Sequence, residues 1–517
     1  MLRIFRRSAI VLGLIVLSGC SGASDTPLSV QAPPEAKPQY AQRTAPAPKS
    51  SAAPQPDKAN TYYVAVDGAD SNQGTIDSPW KTLQHAADLA EPGTRVYIRG
   101  GVYHQKLQIS KGGSKDAGPV IFAGYPNETA VLDGEGLPVD GLEGMVEIHQ
   151  ASYVTIQQLE IRNYKTASLG DIPAGIYIHG SGKDLSVLNN RIHSIANTAT
   201  PEGDGLTGRD AHGIAVYGTE AKEALQGLII DGNEVYDLVL GSSEALVVNG
   251  NVDTFEITNN IVHDSDNIGI DLIGFEGTAG DERVDQARNG TVQGNVVYGI
   301  SSNLNPSYGK PVPNDSHAAG GIYIDGGRSI LVEQNRLYDN DIGLELASEH
   351  KGRLTRDITV KNNLIYHNRL TGIAMGGYDE ERGGTSDSII ESNTLYKNDL
   401  LGDGNGQLYL QANLSGNVIT RNIIVAGDSG VMISNEYTSN SNNTLGSNLY
   451  YTESGADQAF WVWKKKEYPG FAFYQRDTGN DSSSQFADPQ FRDAARDDFR
   501  LKPGFPVVTG KPAGANP

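Results

Sequence analysis

The run "NIVHDSDNIGIDLIG", Asn260 to Gly274, contains two short patterns that recur down the chain. The first is N-x-x-[YHV]. It appears as NRIH at Asn190, NEVY at Asn233, NIVH at Asn260, NVVY at Asn295 and NRLY at Asn335. It continues as NLIY at Asn363, NTLY at Asn393, NIIV at Asn422 and NLYY at Asn448, at intervals of 26 to 43 residues. The second is a six-residue strand pattern: GIYIHG, GIAVYG, ALVVNG, GIDLIG, GIYIDG, GLELAS and GIAMGG, beginning at Gly175, Gly213, Ala245, Gly269, Gly321, Gly343 and Gly372. Its second and fourth positions are always Ile, Leu, Val or Met. Alternation with period two puts these side chains on one face and positions three and five on the other.

A fixed rung with connections of varying length is the mark of a stacked solenoid. The chain is therefore expected to be all-β, a parallel β-helix over residues 61–455. The recurring asparagines should stack at one turn and bond along the stack, with His193 and His263 structural beside them. The opening "TYYVAVDGADSNQGTIDSPWKTLQHAADLAEPG" predicts a strand, a turn around Asp67, Asp70 and Asn72, and a helix entered through Ser78-Pro79 and stopped by Pro92-Gly93. That helix would plug the open end. Residues 456–517, with Trp461 and Trp463, should cap the other end and cover its edge.

The first nineteen residues read as a secretory signal: Arg3, Arg6 and Arg7 precede an apolar run, Ala9 to Leu17, too short to span a bilayer. The ending Leu-Ser-Gly-Cys resembles the lipobox of bacterial lipoproteins. That resemblance implies Cys20 as the lipidated first residue of the mature chain, with Ser21 after it favouring the outer membrane. The lipid would be the sole membrane attachment. Residues 20–60 are rich in Ala, Pro and Ser and read as an extended tether. A single cysteine excludes an intramolecular disulfide. The formal charge of −21 becomes −24 without the three arginines, which argues against nucleic acid as a partner. Nothing in the pattern asks for more than a monomer.

Long insertions flank the second pattern: Asn197–His212 and Ser301–Gly320 before their strands, Phe275–Asn289 and Ala347–Arg356 after theirs. Loops raised on both sides of one strand row make a groove, the usual place for function on a rigid scaffold. Position three reads Tyr177, Ala215, Val247, Asp271, Tyr323, Glu345 and Ala374 down the stack. Position five reads His179, Tyr217, Asn249, Ile273, Asp325, Ala347 and Gly376. With rungs roughly 4.8 Å apart, Asp271, Tyr323 and Glu345 form one solvent-facing column with Asp325 beside it. The groove should bind through His179, Tyr217, Asn249 and Tyr378. Acids stacked without a counter-charge require a cation or raised pKa values.

The repeats and both ends resemble the right-handed parallel β-helix proteins of the pectate-lyase-like superfamily. Members include lyases, hydrolases, epimerases and adhesins, so the fold does not settle the activity. The run from Ser242 to Gly274 further resembles the calcium-site frame of family 9 polysaccharide lyases. It implies Ca²⁺ at Glu244, Asp266 with Asn267, and Asp271, oxygen ligands suited to that ion. The family's catalytic lysine falls on Asn249, which cannot act as a base.

These observations lead to an envelope-anchored enzyme acting on an anionic, uronic-acid polysaccharide, foremost a calcium-dependent lyase working by β-elimination. That reaction needs a neutraliser for the uronate, a base and an acid. Tyr323, His212, His317 and Lys351 are the candidates for the last two. An inverting hydrolase built on Asp271 or Asp325 with Glu345, a uronan C5-epimerase and a non-catalytic binding protein are the alternatives.

Overall fold

The computed structural model describes residues 60–200, 209–309, 311–508 and 511–515. Cys20 and the tether lie outside them. Three parallel sheets run side by side up a solenoid, one of seventeen strands and two of thirteen. One thirteen-stranded sheet carries the second sequence pattern, through strands such as Ile172–His179, His212–Gly218, Leu246–Gly250, Ile270–Ile273, Gly320–Asp325 and Ile342–Ala347. We call it the groove sheet. Its register is in step: Ile176 pairs with Ile214, Leu246, Ile270, Ile322, Leu344 and Ile373 in turn. All seven are fully buried in one continuous core.

The asparagine stack forms as expected. From Asn190 to Asn448, each side-chain Nδ2 donates to Oδ1 of the asparagine one rung on, at 2.9–3.2 Å. The same oxygen accepts the preceding asparagine's backbone N–H. The residue before each of the nine has a left-handed backbone, φ between 55° and 69°. Most are not glycine, and that conformation is unfavourable for them. A fully bonded amide ladder offsets the cost at every turn. His193 and His263 stand three residues further on, in a separate outward stack with Tyr236, Tyr298, Tyr338 and Tyr366, ring centroids 4.7–5.1 Å apart.

Both ends are closed. The N-terminal helix runs Leu83–Leu89 and is capped by Thr82, so it begins later than Ser78-Pro79. The reason is Asp70, whose Oδ1 accepts the N–H groups of Lys81 and Thr82 and delays the first turn. Leu83, Ala86 and Ala87 face the core. At the far end, Phe460–Trp463 pairs antiparallel with Lys466–Pro469, and helix Phe471–Thr478 follows. Trp461 is fully buried and stacks on Tyr474 at 5.0 Å. The tail then folds back so that Phe491 and Phe499 cover Tyr396, with Phe499 also against Tyr366.

Replacing Asn295 with Ala would leave two buried donors of Asn260, its backbone N–H and its Nδ2, without their acceptor. The expected loss of stability is about 2–4 kcal/mol, read as a lower urea midpoint.

Candidate functional site

The groove sheet sets the site. Val247 pairs with Asp271, Asp271 with Tyr323, Tyr323 with Glu345 and Glu345 with Ala374, so the expected column exists in register. It does not face open solvent. Asp271 is 2% exposed, Tyr323 and Asp325 5%, Glu244 8% and Glu345 9%. The side chains point away from the apolar core, but the flanking loops close over them. Tyr177, higher in the same column, is covered as well.

Glu244, Asp271, Asp325 and Glu345 are four buried carboxyls on the floor of the cleft. Exposed Glu276 and Glu349 stand at its mouth, and Asp210 stands to one side. Among the described residues no lysine or arginine forms an ion pair with any of the four. Burial pushes Glu345 up to about 8, helped by the nearby charge of Glu349. Asp271 is raised well above the usual range by burial, then by the charges of Glu244, Asp325 and Glu276. Glu244 and Asp325 are raised likewise, by burial first and neighbouring carboxylates second. Asp325 accepts the Glu349 N–H at 2.9 Å, whereas Asp271 Oδ1 is buried with no partner.

His212 is buried beside this group. Its Nδ1 lies 3.1 Å from the Glu244 carbonyl oxygen, which can only accept, so Nδ1 carries the hydrogen. The Nε2 lone pair then faces the Tyr217 hydroxyl at 3.5 Å. Burial lowers His212 to about 4, leaving it neutral. Asn249 is committed elsewhere: it donates to Glu276 at 2.7 Å and accepts from Thr278 at 2.8 Å.

Other expected site residues lie apart. Lys351 is 70% exposed and pairs with Glu381, so it points out of the cleft. His317 is bound to the buried Asp341 at 3.0 Å, where it anchors the loop between residues 301 and 320. His179 stacks between His149 and Tyr177 at 4.3 Å to each and holds Glu147 at 2.9 Å. It sits three rungs above Asp271. Tyr378 lies below the carboxyls under the guanidinium of Arg382, 4.6 Å from its centroid.

The expected calcium trio is not assembled. Asp266 Oδ1 accepts the Leu240 N–H at 2.6 Å, and Oδ2 faces Arg209 at 3.7 Å. Burial raises Asp266 to about 6, against the pull of that N–H and of Arg209. Among the described residues no three His, Cys, Asp or Glu side chains stand together in a metal-holding arrangement. Glu244 and Asp271 alone remain as oxygen donors of the set, with Asp271 Oδ1 the atom that suits a cation.

The reading of the sequence missed Asp210, Glu276, Glu349 and Tyr308. Each lies in one of the four long insertions, and Glu276 and Glu349 fall within the first few residues after groove strands Ile270–Ile273 and Ile342–Ala347. An acid early in a long insertion was the available signal. Tyr308 donates to Asn267 at 3.0 Å and joins its loop to the cleft wall.

Residues 62–211 match the model of the Pel9A-like, right handed beta helix region, and residues 146–379 and 315–468 match that of the right handed beta helix region. The chain belongs to the right-handed β-helix family, and the expected pectate-lyase-like solenoid is borne out. It is 44% identical over 446 residues to the uncharacterized protein YwoF of Bacillus subtilis, covering 86% of this chain and 91% of that one. Pectate lyase PEL9 of Emericella nidulans is 32% identical over 161 residues, 30% of this chain and 37% of the lyase. The GH136 lacto-N-biosidase from Eubacterium ramulus shares the fold with a TM-score of 0.51 and 17% identity, over 76% of this chain and 64% of that one. The Pel9A-like match ends at residue 211, before all four floor carboxyls.

A carboxyl that keeps its proton longer when folded favours folding at low pH. The contribution of Glu345 to stability should therefore be full below the ordinary carboxylate range and fall as pH rises towards about 8, where Glu345 titrates. Glu345→Gln should flatten that decline in melting curves between pH 5 and 9. An unchanged slope would mean that Glu345 titrates normally.

Proposed function

We propose that this chain hydrolyses glycosidic bonds of a polysaccharide held in the groove, using carboxyl groups as acid and base. The observation that carries this is the set of four buried carboxyls that, among the described residues, pair with no lysine or arginine. A carboxyl held protonated at neutral pH can protonate a leaving oxygen, while an ionised neighbour activates water. Glu345, raised to about 8, is the acid. Asp271 is itself raised by burial and by its acidic neighbours, so it serves as base only as the member of the adjoining set that gives up its proton first. It lies two rungs away, roughly 10 Å between backbones, near the ~6.5–9.5 Å carboxyl separation of an inverting pair. Tyr323 occupies the rung between them and can orient the water. The carbohydrate activities named for the matched pectate lyase and for the fold neighbour support a glycan as substrate.

Calcium-assisted β-elimination on an anionic uronan is the second reading. The Pel9A-like match and the unpartnered Asp271 Oδ1 favour it. Against it stands the base: Asn249 occupies the lysine position, and Lys351 points away. The envelope location belongs to the same proposal, with Cys20 as lipid anchor; Cys20→Ala should abolish lipid labelling and membrane fractionation.

Purified protein should be assayed on neutral and uronic polysaccharides, with and without chelator. Hydrolysis predicts new reducing ends without ultraviolet absorbance, insensitivity to chelator, and at least a hundredfold loss in Glu345→Gln and Asp271→Asn. Ultraviolet-absorbing unsaturated products that vanish with chelator would instead establish the lyase reading.

A further inference from the structure

Below Glu345 the groove continues towards the C-terminal cap, and its character changes from acidic to mixed polar and aromatic. The column steps from Glu345 to Ala374 and then to Tyr409. Two residues after Tyr409, on the same face of its strand, stands Gln411. It is 7% exposed, and its side-chain Oε1 is buried with no hydrogen-bond partner. Its side chain reaches the Tyr409 hydroxyl, which in turn feels the charge of Glu345. Tyr378 forms the side of this stretch. It is fixed from two directions, by the Arg382 guanidinium over its ring and by the Tyr437 hydroxyl, which donates to its carbonyl at 3.0 Å. Arg382 Nε makes no hydrogen bond and faces only the Asp379 carboxylate, at 4.0 Å.

A buried acceptor left open at Gln411, with a guanidinium nitrogen held only by a carboxylate 4.0 Å away and tyrosine rings beside them, calls for a ligand with hydroxyls on an apolar frame. A pyranose ring has both. An ammonium or metal ion would suit Gln411 but not the Arg382 guanidinium. A lone carboxylate would suit Arg382 but leave Gln411 Oε1 without a donor.

We propose that Tyr378, Arg382, Tyr409 and Gln411 form a subsite for a sugar unit further along the bound chain from the scissile bond, on the C-terminal side of the carboxyls. Gln411 Oε1 accepts a sugar hydroxyl, Arg382 Nε donates to another, and the tyrosines contact the ring. This rests on the polysaccharide reading above and adds the direction in which the chain lies. The glycan runs along the solenoid axis from the carboxyls towards the cap. Tyr409 is two rungs below Glu345, roughly 10 Å along the axis.

The test uses the full folded protein carrying Glu345→Gln, so that ligand survives, and neutral and uronic oligosaccharides of graded length. Binding is read by calorimetry. Adding Gln411→Ala or Tyr409→Ala should weaken the bound oligosaccharide about tenfold each, the loss of one hydrogen bond or one ring contact. Gln411→Glu keeps the shape and an accepting oxygen while removing the amide donor and adding an acid, so affinity retained above that of Gln411→Ala reports on the acceptor. In turnover, with Glu345 intact, the loss should fall on KM more than on kcat.

Wild-type affinity in correctly folded Gln411→Ala and Tyr409→Ala proteins would overturn the subsite while leaving the polysaccharide reading in place. No binding by any oligosaccharide of either class would overturn both. Binding that depends on Gln411 and Tyr409 without bond cleavage would uphold the subsite and refute hydrolysis.

Discussion

Everything in this molecule depends on the parallel register between rungs. Inward pairs such as Ile270 and Leu272 fall directly on Ile322 and Ile324, and the asparagine ladder locks the turn beside them. A slip of one residue would turn every apolar side chain outward and break every amide contact in the ladder. The register therefore has no nearby alternative. Residues far apart in sequence are held at fixed positions on the outer face, about 4.8 Å apart per rung. That is how Asp271 and Glu345, with two long connections between them, come to share one column.

The same rigidity explains how like charges can be held together. Four floor carboxyls with no lysine or arginine partner would separate on a flexible surface. Here the backbones beneath them cannot move apart without tearing a sheet, so burial first and mutual repulsion second appear as raised pKa values. The loops add to it. The ion pairs Arg353 with Glu282 and Lys351 with Glu381 tie three successive loops into one wall, and Gly383 donates to the Ser348 carbonyl across it. Lys351 and Arg353 are used in these pairs between loops, which leaves the carboxyl floor without them.

The rung pattern and the column of Asp271, Tyr323 and Glu345 could be read from the sequence because both follow from period-two alternation and a constant rung. Burial of that column could not, since it comes from loops folding back over the strands. Asp266 illustrates a second limit. Its spacing from Asp271 fits a metal frame, but its carboxylate is claimed by Arg209 and the Leu240 N–H. Those partners come from other rungs and leave no local sign. Lys351 fails for the same reason, drawn to Glu381 on the next loop. The start of the N-terminal helix was obscured by Asp70, a turn residue whose side chain acts on a distant segment.

A cleft of this kind has to be matched by what enters it. Buried carboxyls that keep their protons can donate as well as accept, so the floor does not need a permanent counter-ion to exist. It does need one if all four ionise together. Between these limits the cleft is suited to exchange protons with a neutral ligand and poorly suited to hold a polyanion unaided. The lower groove, with Gln411, Arg382 and the tyrosines, carries no comparable excess of buried acid, so it can bind a glycan by hydroxyls and ring contact alone. On the proposed reading, separating the two roles along one rigid row lets acid–base chemistry be tuned by burial while affinity is set a few rungs away.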